Sequence, residues 1–193
     1  MENPLSELHR PWLAHYDAGV PQHLDYPAIP LYRLLDDSAA RQPAHTCTIF
    51  FGKRMSYAAI KEASDRLAAS LQGLGVQPGD RVALLLPNSP QFIIAYYAIL
   101  KAGAVVVSLN PLYTAHELLF HLNDSGATTA ITIPLFLEKV SALVGQTPLQ
   151  RVIYTRVADY LPFPLSLGSR LQERKQMRQV DPGRVIPLAS LLH

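Results

Sequence analysis

A mostly parallel, doubly wound α/β sheet with helices on both faces, preceded by a β-hairpin, is the fold class this sequence predicts. Three observations predict it. The runs RVALLL (81–86), AVVVSL (104–109), TAITI (129–133) and RVIYT (151–155) lack a polar face, as do parallel strands covered on both sides. Segments with helix start and stop signals alternate with these runs, the pattern of βαβ units. Crossovers between parallel strands are right-handed, which winds helices onto both faces.

Taken in order, residues 1–30 are rich in Pro and aromatics (HRPWLAHYDAGVPQHLDYPAIP at 9–30) without sustained periodicity. They read as an N-terminal arm lying over a larger body. Leu31–Arg41 predicts a short helix ended by Gln42-Pro43. TCTIFF and KRMSY, joined at Gly52-Lys53, predict the hairpin. Ile60, Ala63, Leu67, Leu71 and Leu74 recur at steps of three and four, one apolar face of a helix. Ser56 suits its N-cap, and Gly73 and Gly75 end it. QPGD is then a turn into the first core strand.

Between Phe92 and Leu109 the only charge is Lys101, so a membrane span has to be weighed. Ser89 as N-cap, Pro90 at the first helical position and Gly103 at the end bound a helix only about 18 to 20 Å long, short of a core of about 30 Å. Lys101 in its last turn suits the negative end of the dipole. The segment is therefore a buried strand, helix and strand. Thr114-x-x-Glu117 is a capping box opening the next helix, and Pro134 leads another to about Val144.

Beyond Arg156 the pattern lapses. The expected organisation is an arm at 1–30, an α/β subdomain at 31–157, and a Pro-rich then basic linker at 158–193. The basic excess lies there: residues 151–193 hold 7 Lys/Arg against 3 Asp/Glu, while residues 1–150 hold 10 against 12. The overall charge of +2 demands no acidic partner, and no nucleic acid is expected. A single cysteine, Cys47, excludes an internal disulfide and a Cys-rich metal site, and packing explains it best. MENPLSELHRPW has no apolar h-region, so a cytoplasmic location is expected.

Several apparent motifs fail on geometry. His116 and His121 in HELLFH are five apart, about 140° around a helix, where two zinc ligands need a spacing of four. GLGVQPG lies between a helix and a strand, the reverse of a dinucleotide loop. DSGATTA has no following Lys, and Asp124 would repel phosphate. No residue chemistry forms a catalytic constellation.

Residues 55–118, MSYAAI through GVQPGDRVALLLPNSPQF and AILKAGAVVVSLNPLY, with HLNDSGA beyond, closely resemble the N-terminal region of adenylate-forming enzymes. Within that superfamily they are most similar to AMP-forming fatty acyl-CoA synthetases, and SLNPLY and YLPFPLSL favour that branch over aryl-CoA ligases. The resemblance runs from about residue 28 to 165. It implies ATP-dependent formation of an acyl adenylate from a fatty acid, followed by displacement of AMP by CoA, with Mg²⁺ assisting. The family's phosphate loop, metal-binding Glu, ribose-binding Asp and mobile-domain Lys match no position in this sequence. No catalytic, cofactor-binding or metal-binding residue is therefore assigned, and no cofactor is expected to bind this chain alone. The resemblance makes it an incomplete N-terminal subdomain whose partner is a missing C-terminal portion, inactive by itself. Gly103 and the Ser108–Pro111 turn would serve as scaffold, with Asn110-Pro111 on the ligand side of a parallel strand.

A non-catalytic α/β binding module remains the alternative from another class, supported by the missing nucleotide machinery. In the tail, LPFPLSL followed by Arg170, Arg174, Lys175 and Arg178 has the composition of a peripheral membrane contact. Its prolines and weak amphipathicity favour the solvated linker instead.

Overall fold

The computed structural model describes residues 10–177 and 185–192. Strands β1 (Thr46–Phe50) and β2 (Lys53–Ser56) pair as an antiparallel hairpin. Strands β3 (Arg81–Leu85), β4 (Val105–Ser108), β5 (Thr129–Thr132), β6 (Arg151–Tyr154) and β7 (Val185–Pro187) form one sheet in the order β4-β3-β5-β6-β7, with every pair parallel. The helices are α1 (Arg33–Arg41), α2 (Tyr57–Gly73), α3 (Pro90–Lys101), α4 (Ala115–Ser125), α5 (Pro134–Ser141) and α6 (Leu165–Met177).

The two-residue side-chain period of the strands separates two cores. On one face Val82, Leu84, Ile131 and Ile153 pack with Ile60, Leu67 and Leu71 of α2 and Ile94, Ala98 and Ile99 of α3. On the other, Ala83, Leu85, Ala130 and Val152 pack with Leu118 and Leu122 of α4 and Leu137 and Val140 of α5. The sheet is doubly wound, as the sequence predicts. Each fully buried Leu or Ile contributes about 1.5–3 kcal/mol, so the continuous apolar strands hold the layers together.

The punctuation works mostly as read. The Ser56 hydroxyl accepts from the Ala59 N–H at 3.2 Å and starts α2. The Thr114 hydroxyl accepts from the Glu117 N–H at 3.3 Å, while the Glu117 carboxylate accepts from the Thr114 N–H at 2.8 Å. Gly103 follows α3 with φ +79°, and a Cβ there would stand 3.2 Å from the Pro78 Cβ. Only glycine meets both the positive φ and that approach without strain.

Several expectations are corrected. The hairpin turns at Phe51-Gly52, both at positive φ (48° and 84°), rather than at Gly52-Lys53. That conformation matches the twist of the flanking strands. Ser89 occupies the N-cap of α3, but its hydroxyl makes no capping bond. Helix α5 ends at Ser141 rather than near Val144; along α2 the apolar face is as read, with Ala63 and Leu74 packed against the core that buries Ile60, Leu67 and Leu71. The largest correction concerns residues 158–193. Val157–Tyr160 and Leu188–Leu191 are 3₁₀ turns, Leu165–Met177 is a helix, and Val185–Pro187 adds a fifth parallel strand. Arg178 and His193 lie outside the described residues.

The chain divides after Pro30 into two compact units. In the first, Pro11–His15 form a 3₁₀ helix with no buried residue. Among the described residues, no helix is long and apolar enough to cross a membrane.

Candidate functional site

In a sheet of this order the chain reverses direction between β3 and β5, whose connections leave from the same carboxyl edge. Ligands of open α/β sheets gather at such a switch point, because helices diverge there and leave a crevice. The turns at this edge are residues 86–89 after β3, 109–114 after β4, Ile133 after β5 and 155–156 after β6.

Hydrogen bonds fix these turns. Thr132 Oγ1 donates to the Leu85 carbonyl at 3.1 Å inside the sheet. Gln91, 1% exposed, donates through Nε2 to the Arg156 carbonyl at 3.1 Å, tying α3 to the end of β6. Its Oε1 is buried without a partner. Beside them lies a cleft of about 370 Å³, lined by Cys47–Phe50 of β1 and by Asn88, Ser89, Pro90, Phe92 and Ile93. The Thr48 hydroxyl is buried without a partner next to that cleft. Burial pushes the Cys47 thiol pKa up, so the thiolate is disfavoured.

Two further clefts, of about 270 and 330 Å³, adjoin at the ends of β6 and β7 and share Thr155, Asp159 and Ala189. Lys53 Nζ donates to the Asp159 carbonyl at 2.9 Å, bringing the hairpin to this edge. Burial pushes Tyr160, which lines one of the two, up to about 12.

The residues singled out from sequence fall into place around this edge. Asn110 Oδ1 accepts from the Leu112 N–H at 3.0 Å, and the Asn110 carbonyl accepts from the Tyr113 N–H at 3.0 Å. Its carboxamide therefore closes the turn after β4. His116 is exposed, and His121 stacks on Tyr113 with centroids 4.7 Å apart. Gln91, Thr48, Lys53 and Asp159 were not identified from sequence. Gln91 carried one signal, a polar residue directly after a helix-opening proline in a helix with no charge before Lys101.

The described residues do not fit a triphosphate–metal site. Helices α3 and α5 open on Pro90 and Pro134, which removes an N–H where a phosphate would be held. Neither turn contains a glycine or lysine. Among the described residues no three His, Cys, Asp or Glu side chains cluster as metal ligands.

A family model described as AMP-binding enzyme matches residues 35–185. Over 168 residues the chain is 41% identical to a long-chain-fatty-acid–CoA ligase of Bacillus subtilis, covering 87% of this chain and 30% of that one. A long-chain-fatty-acid–CoA ligase of Yersinia pestis is 34% identical over 203 residues, covering 91% and 36%. The crystal structure of a benzoate CoA ligase from Burkholderia xenovorans superimposes with a TM-score of 0.65 over 85% of this chain and 28% of that chain. At 19% identity that likeness shows the fold alone. The chain spans about a third of the length of the curated relatives it matches.

Proposed function

The chain belongs to the AMP-binding enzyme family, and from that premise we propose that residues 31–192 are the supporting α/β layer of a fatty acid–CoA ligase. The complete enzyme would join a fatty acid to CoA through an acyl adenylate, using ATP and Mg²⁺ and releasing AMP and pyrophosphate. The observation that carries this reading is the 41% identity to the Bacillus subtilis ligase across 87% of the chain. The role of the layer is mechanical. Its carboxyl edge, braced by Gln91, Thr132 and Lys53, presents one wall to a second layer that brings the nucleotide chemistry. These residues alone would catalyse neither half-reaction.

A chimera tests it: residues 31–192 replace the matching segment of the Bacillus subtilis ligase, and AMP release is followed with a long-chain fatty acid or benzoate. Fatty-acid-dependent release supports the reading. Preference for benzoate moves the substrate to the aryl branch. A folded chimera inactive on both supports the second reading, a non-catalytic α/β module, which the missing triphosphate cradle favours.

A further inference from the structure

The cleft of about 370 Å³ between the hairpin and the start of α3 has walls that are mostly apolar, from Phe50 of β1 to Pro90, Phe92 and Ile93. Polar side chains line it as well, and the fold leaves them without partners. The Thr48 hydroxyl is buried with no hydrogen bond. Ser89 is only 8% exposed, yet its hydroxyl makes no capping bond from the N-cap of α3. A serine there normally accepts from an N–H two or three residues on. Here the Phe92 and Ile93 N–H groups donate to the Ser89 carbonyl instead, at 3.1 and 3.5 Å, which leaves the hydroxyl free.

Among the described residues, no charged side chain lines the cleft. The N-terminus of α3 offers an anion little, since Pro90 has no N–H and those of Phe92 and Ile93 are taken. A carboxylate or phosphate would be stripped of water there without a counter-charge, so the cleft selects against both. Water would satisfy the hydroxyls but leave the apolar walls wet. We propose that this cleft binds an uncharged amphiphile, with its apolar body against Phe50, Phe92 and Ile93 and a hydroxyl or amide head on Thr48 and Ser89. A largely apolar cavity with a few convergent polar groups is the usual make-up of a small-molecule site. Scaled from a cavity of about 150 Å³ that holds benzene, this one takes about 15 non-hydrogen atoms. The inference goes beyond the ligase reading and stands if that reading fails.

Cys47, the single cysteine of the chain, lines the cleft and reports on its occupancy. The test is the rate of Cys47 labelling by N-ethylmaleimide at fixed pH in the 193-residue chain, with benzamide or its charged counterpart benzoate. Benzamide at about ten times its half-saturating concentration should slow labelling about tenfold and raise the unfolding midpoint. Benzoate should do neither. Thr48→Val with Ser89→Ala should weaken benzamide by at least about fivefold without lowering the unfolding midpoint, because neither hydroxyl bonds to the fold. Labelling that benzamide leaves unchanged overturns the proposal. So does equal protection by benzoate, or protection that survives the double variant. Labelling that slows with protein concentration alone also overturns it and assigns the cleft to a second copy. These readouts need no ATP, CoA or turnover, so their failure leaves the ligase reading standing.

Discussion

Lys101 Nζ donates to Asp36 Oδ1 at 2.5 Å, joining the last turn of α3 to α1 across 65 positions of the chain. The same ammonium donates to Asp65 of α2, which also accepts from Lys61 at 2.6 Å. With its side chain 9% exposed, Lys101 pins three helices at one corner. The sequence shows only a cation at a helix C-terminus. The structure gives it two carboxylates as well.

Removing that cation takes from Asp36 its ammonium partner and leaves Asp65 with Lys61. Lys101→Met should cost about 1–3 kcal/mol of folding stability, measured by denaturant unfolding at neutral pH. Burial raises the Asp65 pKa, but hydrogen bonds from Lys101 and Lys61 outweigh it and hold it below its ordinary 3.8. A carboxyl with a lowered folded pKa stabilises the fold above its unfolded value, and that contribution is lost as pH falls through the folded one. Asp65→Asn should therefore lose less stability than the parent below pH 3.8.

Gly103→Ala should destabilise by about 1–3 kcal/mol, combining the left-handed penalty with pressure on Pro78. The tight approach is the 3.2 Å one to the Pro78 Cβ, where the neighbour must give by a few tenths of an ångström. Gly73→Ala is the control, because a Cβ there meets nothing within 4 Å and φ is not positive. Thermal unfolding of the two variants should separate them clearly.

Tyr160 contributes to the alkaline limit, with Cys47 and Tyr97, whose pKa values burial also raises. The Tyr160 pKa is pushed by burial from 10.0 to about 12, so the folded state holds the phenol proton longer than the unfolded chain does. Stability from this group is complete below pH 10.0 and is lost as pH rises towards 12. Tyr160→Phe should flatten that alkaline loss, seen in unfolding midpoints across the same range.

Glu173 behaves in the opposite sense to Asp65. Burial raises its pKa above the ordinary 4.5 despite bonds from Ala158 and Ser169. Folding is favoured while the carboxyl is protonated, and the contribution is lost as pH rises through the folded value. Glu173→Gln should be neutral or stabilising by up to about 1 kcal/mol at neutral pH, because it keeps an acceptor for Ala158 without a buried charge.

The parts of the fold legible in sequence are those where local chemistry and tertiary burial agree. The runs at Val82–Leu86 and Thr129–Ile133, the proline at 90, the glycine at 103 and the Thr114–Glu117 box each state their role alone. Helix α6 was hidden because its leucines face outward and its buried face holds Ser169 and Glu173, so core periodicity never appears. Strand β7 is three residues long, too short for any alternation. The carboxyl edge was illegible for another reason: Thr48, Gln91 and Asp159 lie far apart in the chain, and they meet only once the sheet's crossovers are made and the hairpin packs beside them.

The central claim is that these residues frame a ligase site without holding its nucleotide chemistry. ATP–pyrophosphate exchange by the purified 193-residue chain, with Mg²⁺ and a long-chain fatty acid, tests it most directly. The account predicts no exchange above a protein-free blank. Fatty-acid-dependent exchange by this chain alone would contradict it.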